Sequence, residues 1–286
     1  MPALRTLQTF VNTWECDEND HMNVQFYYSK FDDAALVFQT LIGLDEQLSP
    51  RARRHVRYHA ELRGGEQVAI QSSFVSSDDS GTVLQHIMLE THSGRLAATA
   101  IDYYSEQAIG EFSDVTEPLD PRAVSRSLLH SLEDTDITRQ VREAQGFPVT
   151  SRGVVRAEHC GKDGVARDQA YISCVSDAAS HAWELVGLSG GWLGERGFGR
   201  VAVEMRLSVF EPLRLGDIFE LRTSFIASRS KSFSKRYDIF NLKTGKLCAV
   251  NEATAMILNH TTRKSEAIPD FAQEAIRALS SSKIEI

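Results

Sequence analysis

The sequence predicts an α+β protein made of two copies of one module, in which a long helix lies against an antiparallel sheet. Apolar residues between Phe26 and Ile42 recur at helical spacing, which predicts an amphipathic helix that ends near Gly43. Four short alternating segments follow and are separated by turn residues, a pattern typical of antiparallel strands joined by hairpins. The same order of patterns then returns in the second half of the chain.

Each element of the first module has its own local signal. The apolar run from Leu7 to Trp14 predicts an opening strand, and the helix is predicted to follow a short polar turn. Glycine-containing turns and alternating residues place the four later strands at 55–62, 67–76, 82–91 and 96–104.

The second half repeats the first in two ordered blocks. Tyr27 and Tyr171 are 144 residues apart, and this offset pairs the two helices residue by residue. In the strands the offset becomes 151 and pairs residues 63–66 with residues 214–217. The additional residues lie in a glycine-rich insert at 190–197. Two ordered blocks separated by one insertion indicate a tandem duplication.

The repeat predicts the domain organisation. The first module is assigned to residues 1–115 and the second to residues 150–286, with residues 116–149 as a linker broken by prolines. A short amphipathic helix is predicted to close the chain, with Asp270 as its N-cap.

The composition excludes several classes of partner. The chain of 286 residues carries 31 basic and 39 acidic residues and no long basic run, so nucleic acid is not expected as a partner. No apolar run is long enough to span a membrane, and the first residues lack the apolar segment of a signal peptide. The cysteines are scattered and predict reduced thiols in a cytoplasmic protein: Cys16, Cys160, Cys174 and Cys248.

Chemically capable side chains are concentrated in the turn before the first helix. Asp17, Asn19, His21 and Asn23 place a carboxylate, two carboxamides and an imidazole within seven residues. Such residues are also ordinary in turns and caps, so the motif by itself does not decide between a structural and a catalytic role.

Together with Tyr27, this turn resembles the motif Asp-x-Asn-x-His-[hydrophobic]-Asn-x-x-x-Tyr of the acyl-ACP thioesterases, which have the hotdog fold. Those enzymes are tandem double hotdogs, in which each module is a long central helix wrapped by an antiparallel sheet. Single-domain thioesterases of the 4-hydroxybenzoyl-CoA type share the aspartate and the helix start. The second copy has Gly161, Asp163 and Val165 at the motif positions, so we expect no matching turn there and one complete site in the first copy.

The resemblance implies thioester hydrolysis with Asp17, Asn19 and His21 as the catalytic residues. Asp17 is expected to attack the carbonyl or to accept a proton from water, and these alternatives stay open. Exposed amides around Asn23 and Val24 at the helix start are the natural donors to an oxyanion.

Three further residues are expected to contact the substrate. Tyr27 belongs to the motif, and His59 lies on a strand that borders the acyl or pantetheine channel in the family. Glu252 lies in an apolar strand of the second copy and is a weaker candidate, because a carboxylate there needs a partner.

The expected activity is hydrolysis of a small or medium acyl-CoA, with no metal and no organic cofactor, coenzyme A being part of the substrate. The alternatives are a hotdog enoyl-CoA hydratase and a non-catalytic module that binds acyl thioesters. Association of whole chains into a homo-oligomer is left open.

Overall fold

The computed structural model describes residues 3–44, 48, 51–105, 116–130 and 132–280. The chain divides into two compact units, Met1–Arg126 with Arg206–Val209, and Ser127–Met205 with Phe210–Ile286. The predicted boundary after residue 115 and the last six residues of the second module lie outside the described residues.

The first unit contains one long helix and a five-stranded sheet. The helix, α1, spans Val24–Leu41, and the strands are β1 (Leu4–Phe10), β2 (Arg53–Tyr58), β3 (Gln67–Asp78), β4 (Gly81–Glu90) and β5 (Leu96–Tyr104). The strand order is β1-β3-β4-β5-β2, and its pairs are antiparallel. The predicted helix and four later strands are thus confirmed, with small shifts at their ends.

The opening strand begins and ends earlier than the sequence predicts. It ends at Phe10, and a 3₁₀ turn at Thr13–Glu15 occupies the end of the predicted strand. The reason is local: the carboxylate of Glu15 accepts a hydrogen bond of 2.8 Å from the amide of Asn12, which closes a capping box.

A buried ion network fastens α1 to its sheet. The wholly buried Arg54 on β2 forms two hydrogen bonds of 2.6 and 2.7 Å to Asp102 on β5. A third donor of the same guanidinium lies 2.7 Å from Asp32 on α1. Because a buried charge is costly unless it is paired, this arrangement fixes the helix relative to both strands.

The second unit repeats the long helix and the strand order of the first unit. Its helices are α2 (Arg139–Ala144), α3 (Asp168–Glu184), α4 (Gly190–Gly194) and α5 (Asp270–Ala278). Its strands are β6 (Val149–Val154), β7 (Phe198–Val209), β8 (Ile218–Ser228), β9 (Phe233–Asn241) and β10 (Leu247–Asn259), and the last four residues of β7 belong to the first unit. The order β7-β10-β9-β8-β6 is that of the first unit with each strand replaced by its repeat. The molecule is therefore a tandem α+β duplication.

Two details differ from the sequence prediction. Helix α5 begins at Asp270, and Pro269 occupies the N-cap position, so the predicted cap is one residue too late. The predicted linker also carries buried residues: Arg142 of α2 is wholly buried and lies 2.8 Å from Asp238 on β9.

Candidate active site

The polar turn of the first unit is a tight loop closed by its own backbone. The amide of Asp17 donates to the carbonyl of His21 at 2.8 Å, and Cys16 and Met22 form a single β-bridge beside this bond. Asp20 lies at the tip with φ of 59°, a left-handed conformation that aspartate tolerates better than most residues. The loop thus holds Asp17 and His21 at fixed positions just before α1.

The carboxylate of Asp17 is fixed by one oxygen. Its Oδ1 accepts hydrogen bonds from the backbone amides of Asn19 at 2.8 Å and His21 at 3.3 Å. Within the described residues no donor contacts Oδ2, and the side chain is half-buried. One oxygen therefore orients the group, and the other is available to a substrate carbon or a water molecule.

The imidazole of His21 lies beside an acidic residue that the sequence did not single out. His21 is buried, and its Nε2 lies 3.2 Å from Oε2 of Glu61. The two atoms form an ion-pair contact and not a hydrogen bond. Glu61 lies in the loop after β2 and is partly exposed, at 27% of its side chain. The pair places a carboxylate beside Nε2 of the imidazole.

The start of α1 leaves one amide for an oxyanion. Asn23 is the N-cap, and its side chain accepts from the amide of Gln25 at 3.1 Å. The amide of Asn23 itself donates to the carbonyl of Glu15 at 2.8 Å, so it is already used. Among the described residues, the amide of Val24 has no protein acceptor, and it lies at the positive end of the helix dipole.

A buried ion pair supports the residues that precede the turn. Nζ of Lys30 on α1 lies 2.7 Å from Oε1 of Glu15, and both side chains are at most one tenth exposed. The same glutamate holds the 3₁₀ turn through Asn12. The turn is therefore attached to α1 from both of its ends.

Tyr27 and His59 occupy positions that restrict their roles. Tyr27 is buried, and its hydroxyl is hydrogen-bonded to the backbone of Leu62; burial raises its pKa well above its ordinary value. His59 is half-buried with Nε2 3.2 Å from Thr99, and burial, together with nearby arginines, lowers its pKa. A neutral imidazole at this position is a poor partner for a phosphate group.

Glu252 lies within the second unit and has a partner there. Its Oε1 lies 2.7 Å from Nε2 of His130, and the carboxylate is almost fully buried. His130 belongs to the segment that the sequence assigned to the linker. The partner that a buried carboxylate needs is thus supplied by this segment.

The second unit forms the same turn, contrary to the expectation from its sequence. The amide of Gly161 donates to the carbonyl of Val165 at 2.8 Å, and a β-bridge joins Cys160 and Ala166. Gly164 at the tip has φ of 72°, as Asp20 has a positive φ in the first turn. The backbone path is retained although the motif is not.

The side chains of the second turn are different. The ionisable groups of Asp17, His21 and Glu61 have no counterparts, since the corresponding residues are Gly161, Val165 and Pro212. Asp163, at the position of Asn19, instead accepts the amide of Val165 at 3.0 Å. The turn therefore folds without a carboxylate at the position of Asp17.

A second residue that the sequence did not single out fixes the Glu61 loop. Arg95, the residue before β5, donates from Nη1 to the carbonyl of Glu61 at 2.7 Å. Its Nη2 contacts both carboxylate oxygens of Glu66, at 2.9 and 3.1 Å. The signal in the sequence was the repeated block at residues 63–66, which marks a structured turn that begins two residues after Glu61.

The described residues contain no group of three or more His, Cys, Asp or Glu side chains placed to hold a metal ion. In the same part of the chain, no helix combines the length and the apolar character needed to cross a membrane.

The fold agrees with the comparisons to known proteins. The sequence profile of the thioesterase-like superfamily matches residues 11–103 and 155–276, one segment in each copy. The chain belongs to this superfamily, and it is a thioester hydrolase with a tandem hotdog fold. A search of curated protein sequences found no match.

Solved structures extend the similarity over both units. The 12:0-ACP thioesterase from Umbellularia californica has a TM-score of 0.61 and 11% identity, covering 89% of this chain and 97% of its own. An acyl-ACP thioesterase from Bacteroides thetaiotaomicron VPI-5482 has a TM-score of 0.59 and 10% identity, with 88% and 96% covered. A protein described as an oleoyl thioesterase, from Lactobacillus plantarum, has a TM-score of 0.62 and 12% identity, with 89% and 97% covered. At these identities the similarity shows the fold alone.

Proposed function

We propose that the protein hydrolyses a small or medium acyl-CoA at the turn of the first unit, with Asp17 as the reacting carboxylate. The observation that carries this proposal is the comparison of the two turns. They share a backbone, but the first alone has Asp17, His21 and Glu61. Since the second turn folds without these groups, folding does not require them in the first turn, and we assign them a catalytic role.

The proposed reaction converts a thioester and water to a carboxylic acid and a thiol. The carbonyl oxygen of the substrate accepts from the amide of Val24, which stabilises the negative charge that develops during attack. Oδ2 of Asp17 either attacks the carbonyl carbon or takes a proton from the attacking water; the same atom serves both routes. His21, beside Glu61, transfers protons or orients the water, and Asn19 helps to hold the reacting groups.

Coenzyme A rather than acyl carrier protein is proposed as the carrier. The formal charge of −8 lowers the encounter rate with an acidic protein, whereas a small thioester is less affected. The structural relatives include enzymes whose names specify acyl-ACP substrates, so the comparison of both carriers belongs in the first assay.

The decisive experiment measures thiol release from a panel of acyl-CoAs and acyl-ACPs. Asp17→Asn is expected to lower kcat by at least about 100-fold, the scale of losing a general base or a nucleophile. Asp20→Asn is the matched control: it makes the same charge change in the same turn, at an exposed residue whose positive φ asparagine tolerates. We expect the control to retain activity within about threefold, as for surface changes.

Other outcomes separate the alternative functions. Loss of enoyl absorbance from crotonyl-CoA without thiol release would indicate a hydratase. Binding of acyl-CoA without turnover, unaffected by Asp17→Ala, would indicate a non-catalytic module. Retention of most thiol release by Asp17→Asn would refute the assignment of the reacting group.

A further inference from the structure

The interior of the second unit contains a buried lysine that forms no ion pair with an acidic group of the described residues. Lys235 on β9 is 3% exposed, and its Nζ lies 5.3 to 5.7 Å from the ring centres of Trp183, Phe233 and Tyr237. No carboxylate of the described residues forms an ion pair with it. An unpaired buried ammonium is costly, and contacts with aromatic faces offset only part of that cost.

A second polar group near Lys235 is also unsatisfied. Tyr237, two residues further along β9, is 1% exposed, and its hydroxyl has no hydrogen-bond partner among the described residues. Arg200 on β7 acts electrostatically on both residues, so the local field is positive. Burial and Arg200 together lower the pKa of Lys235 to about 7.

In the first unit, the equivalent part of the sheet contains a network of paired charges. There Leu84 on β4 lies opposite Asp102 on β5, and Asp102 accepts from Arg54 and lies 3.1 Å from the ring of His86. That network includes its own carboxylate, and all its charged members are paired.

The equivalent residue pair in the second unit has a positive charge where the pair in the first unit has a negative one. Lys235 stands where the first unit has Leu84, and Ala253 stands opposite it where the first unit has Asp102. Tyr237 replaces His86 in the same way. The chain has thus gained a cation and a hydroxyl donor and has lost the carboxylate that would complement them.

We propose that the interior of the second unit binds a carboxylate ligand with an apolar body, which places its charge on the Lys235 ammonium and the Tyr237 hydroxyl. The oxygens of a carboxylate complement these two donors, and the aromatic rings of Trp183 and Phe233 suit an alkyl or aryl group attached to it. Carboxylic acids of this class are also the acid products of thioester hydrolysis. The proposal itself does not depend on the site at Asp17.

Binding is tested with hexanoate and benzoate as probes, at pH 7, by the increase of Tm with probe concentration. Hexanamide and benzamide are the neutral analogues of the same shape. We expect the two carboxylates to raise Tm and the amides to have no effect. Equal effects of carboxylates and amides, or no effect of either carboxylate, would overturn the proposal.

Variants locate the site. Lys235→Met is expected to abolish the carboxylate effect, and Tyr237→Phe to weaken binding about tenfold, as for one hydrogen bond to a charged group. Lys231→Met is the matched control, because Lys231 lies on the same hairpin but is exposed. An unchanged carboxylate effect in Lys235→Met would refute the assignment, as would an equal loss in Lys231→Met.

A measurement on the unaltered chain avoids dependence on folding of the variants. The chain has three tryptophans, Trp14, Trp183 and Trp192, which can be labelled with 5-fluorotryptophan and resolved by ¹⁹F NMR. Benzoate is expected to shift the resonance of Trp183 and to leave that of Trp14 unchanged. Trp14 precedes the Asp17 turn and is 75% exposed. A shift of the Trp14 resonance alone would place benzoate binding at the Asp17 turn and refute the proposal.

Discussion

Glu61→Gln tests whether the acidic neighbour of His21 assists catalysis. The change retains the size and the polarity of the side chain and removes its charge. A unit charge 3.2 Å from an imidazolium would contribute a few kcal/mol at an effective dielectric constant of about 20. Because Glu61 is 27% exposed and solvent screens the pair, about 1–2 kcal/mol is the expected effect.

This free energy corresponds to a fall in kcat of about 5- to 30-fold. If Glu61 stabilises the imidazolium that forms when His21 accepts a proton, kcat falls while KM changes little, because the effect arises after the substrate is bound. Thiol release under saturating acyl-CoA measures kcat, and thermal unfolding shows whether the fold is intact.

Asp79→Asn provides the control for loss of one negative charge in the first unit, since this residue lies in an exposed turn between β3 and β4. An unchanged kcat in Glu61→Gln would refute the catalytic role of the pair. A fall in kcat accompanied by an equal fall in Asp79→Asn would assign the effect to net charge.

Three further outcomes follow from the contacts. Arg95→Lys is expected to lower kcat about 3- to 10-fold in steady-state assays and to leave Tm unchanged. Lysine cannot bind the carbonyl of Glu61 and the carboxylate of Glu66 at the same time. The free energy of unfolding in urea should rise from pH 7 to pH 8.5 in the unaltered chain relative to Lys235→Met. The pKa of Lys235 is about 7 in the folded chain and near 10.4 in the unfolded chain, so unfolding takes up a proton in this pH range. Gly81→Ala should destabilise by about 2–4 kcal/mol in the same assay, because its Cβ would overlap the carbonyl oxygen of Tyr104 at a φ of 120°.

Matched controls accompany these three changes. Arg122→Lys alters an exposed arginine paired with Asp120, and its kcat should not change. Lys231→Met should give the same pH dependence as the unaltered chain. Gly94→Ala also has a positive φ but no atom near the added Cβ, so its cost should stay near 1 kcal/mol. If a control matches its test variant in any pair, the stated cause is wrong.

The long helix and the strands of the first unit were predictable because local patterns in the sequence mark them. The apolar period of α1 and the glycine turns between β3, β4 and β5 specify these elements locally. The end of β1 was not predictable from that pattern, because the Glu15 capping box diverts the chain into a 3₁₀ turn.

The candidate site was predictable only where its residues are close in sequence. Asp17, Asn19 and His21 belong to one turn, and that motif was recognisable. Glu61 and Arg95 reach it through tertiary contacts, and neither belongs to a local motif. A single sequence therefore identifies the turn but not the loop that supports it.

Lys235 shows a different limit of sequence patterns. In β9 both faces are buried from Phe233 to Phe240, so a pattern that assigns charged side chains to solvent is wrong for Lys235. Its environment depends on Trp183 and on the strand register, which the sequence does not specify.

The duplication separates what the fold requires from what chemistry requires. Both turns form the same backbone bonds, and a left-handed residue occupies the tip of each. The first turn nevertheless has a carboxylate with one unbonded oxygen, a histidine and its acidic neighbour, whereas the second has Gly161, Val165 and Pro212. In the interiors, the first unit has the paired charges around Asp102, whereas Lys235 of the second unit forms no ion pair with the described residues. If each copy has kept the fold and changed its chemistry, removal of Asp17 should end hydrolysis without affecting carboxylate binding, and removal of Lys235 should do the reverse.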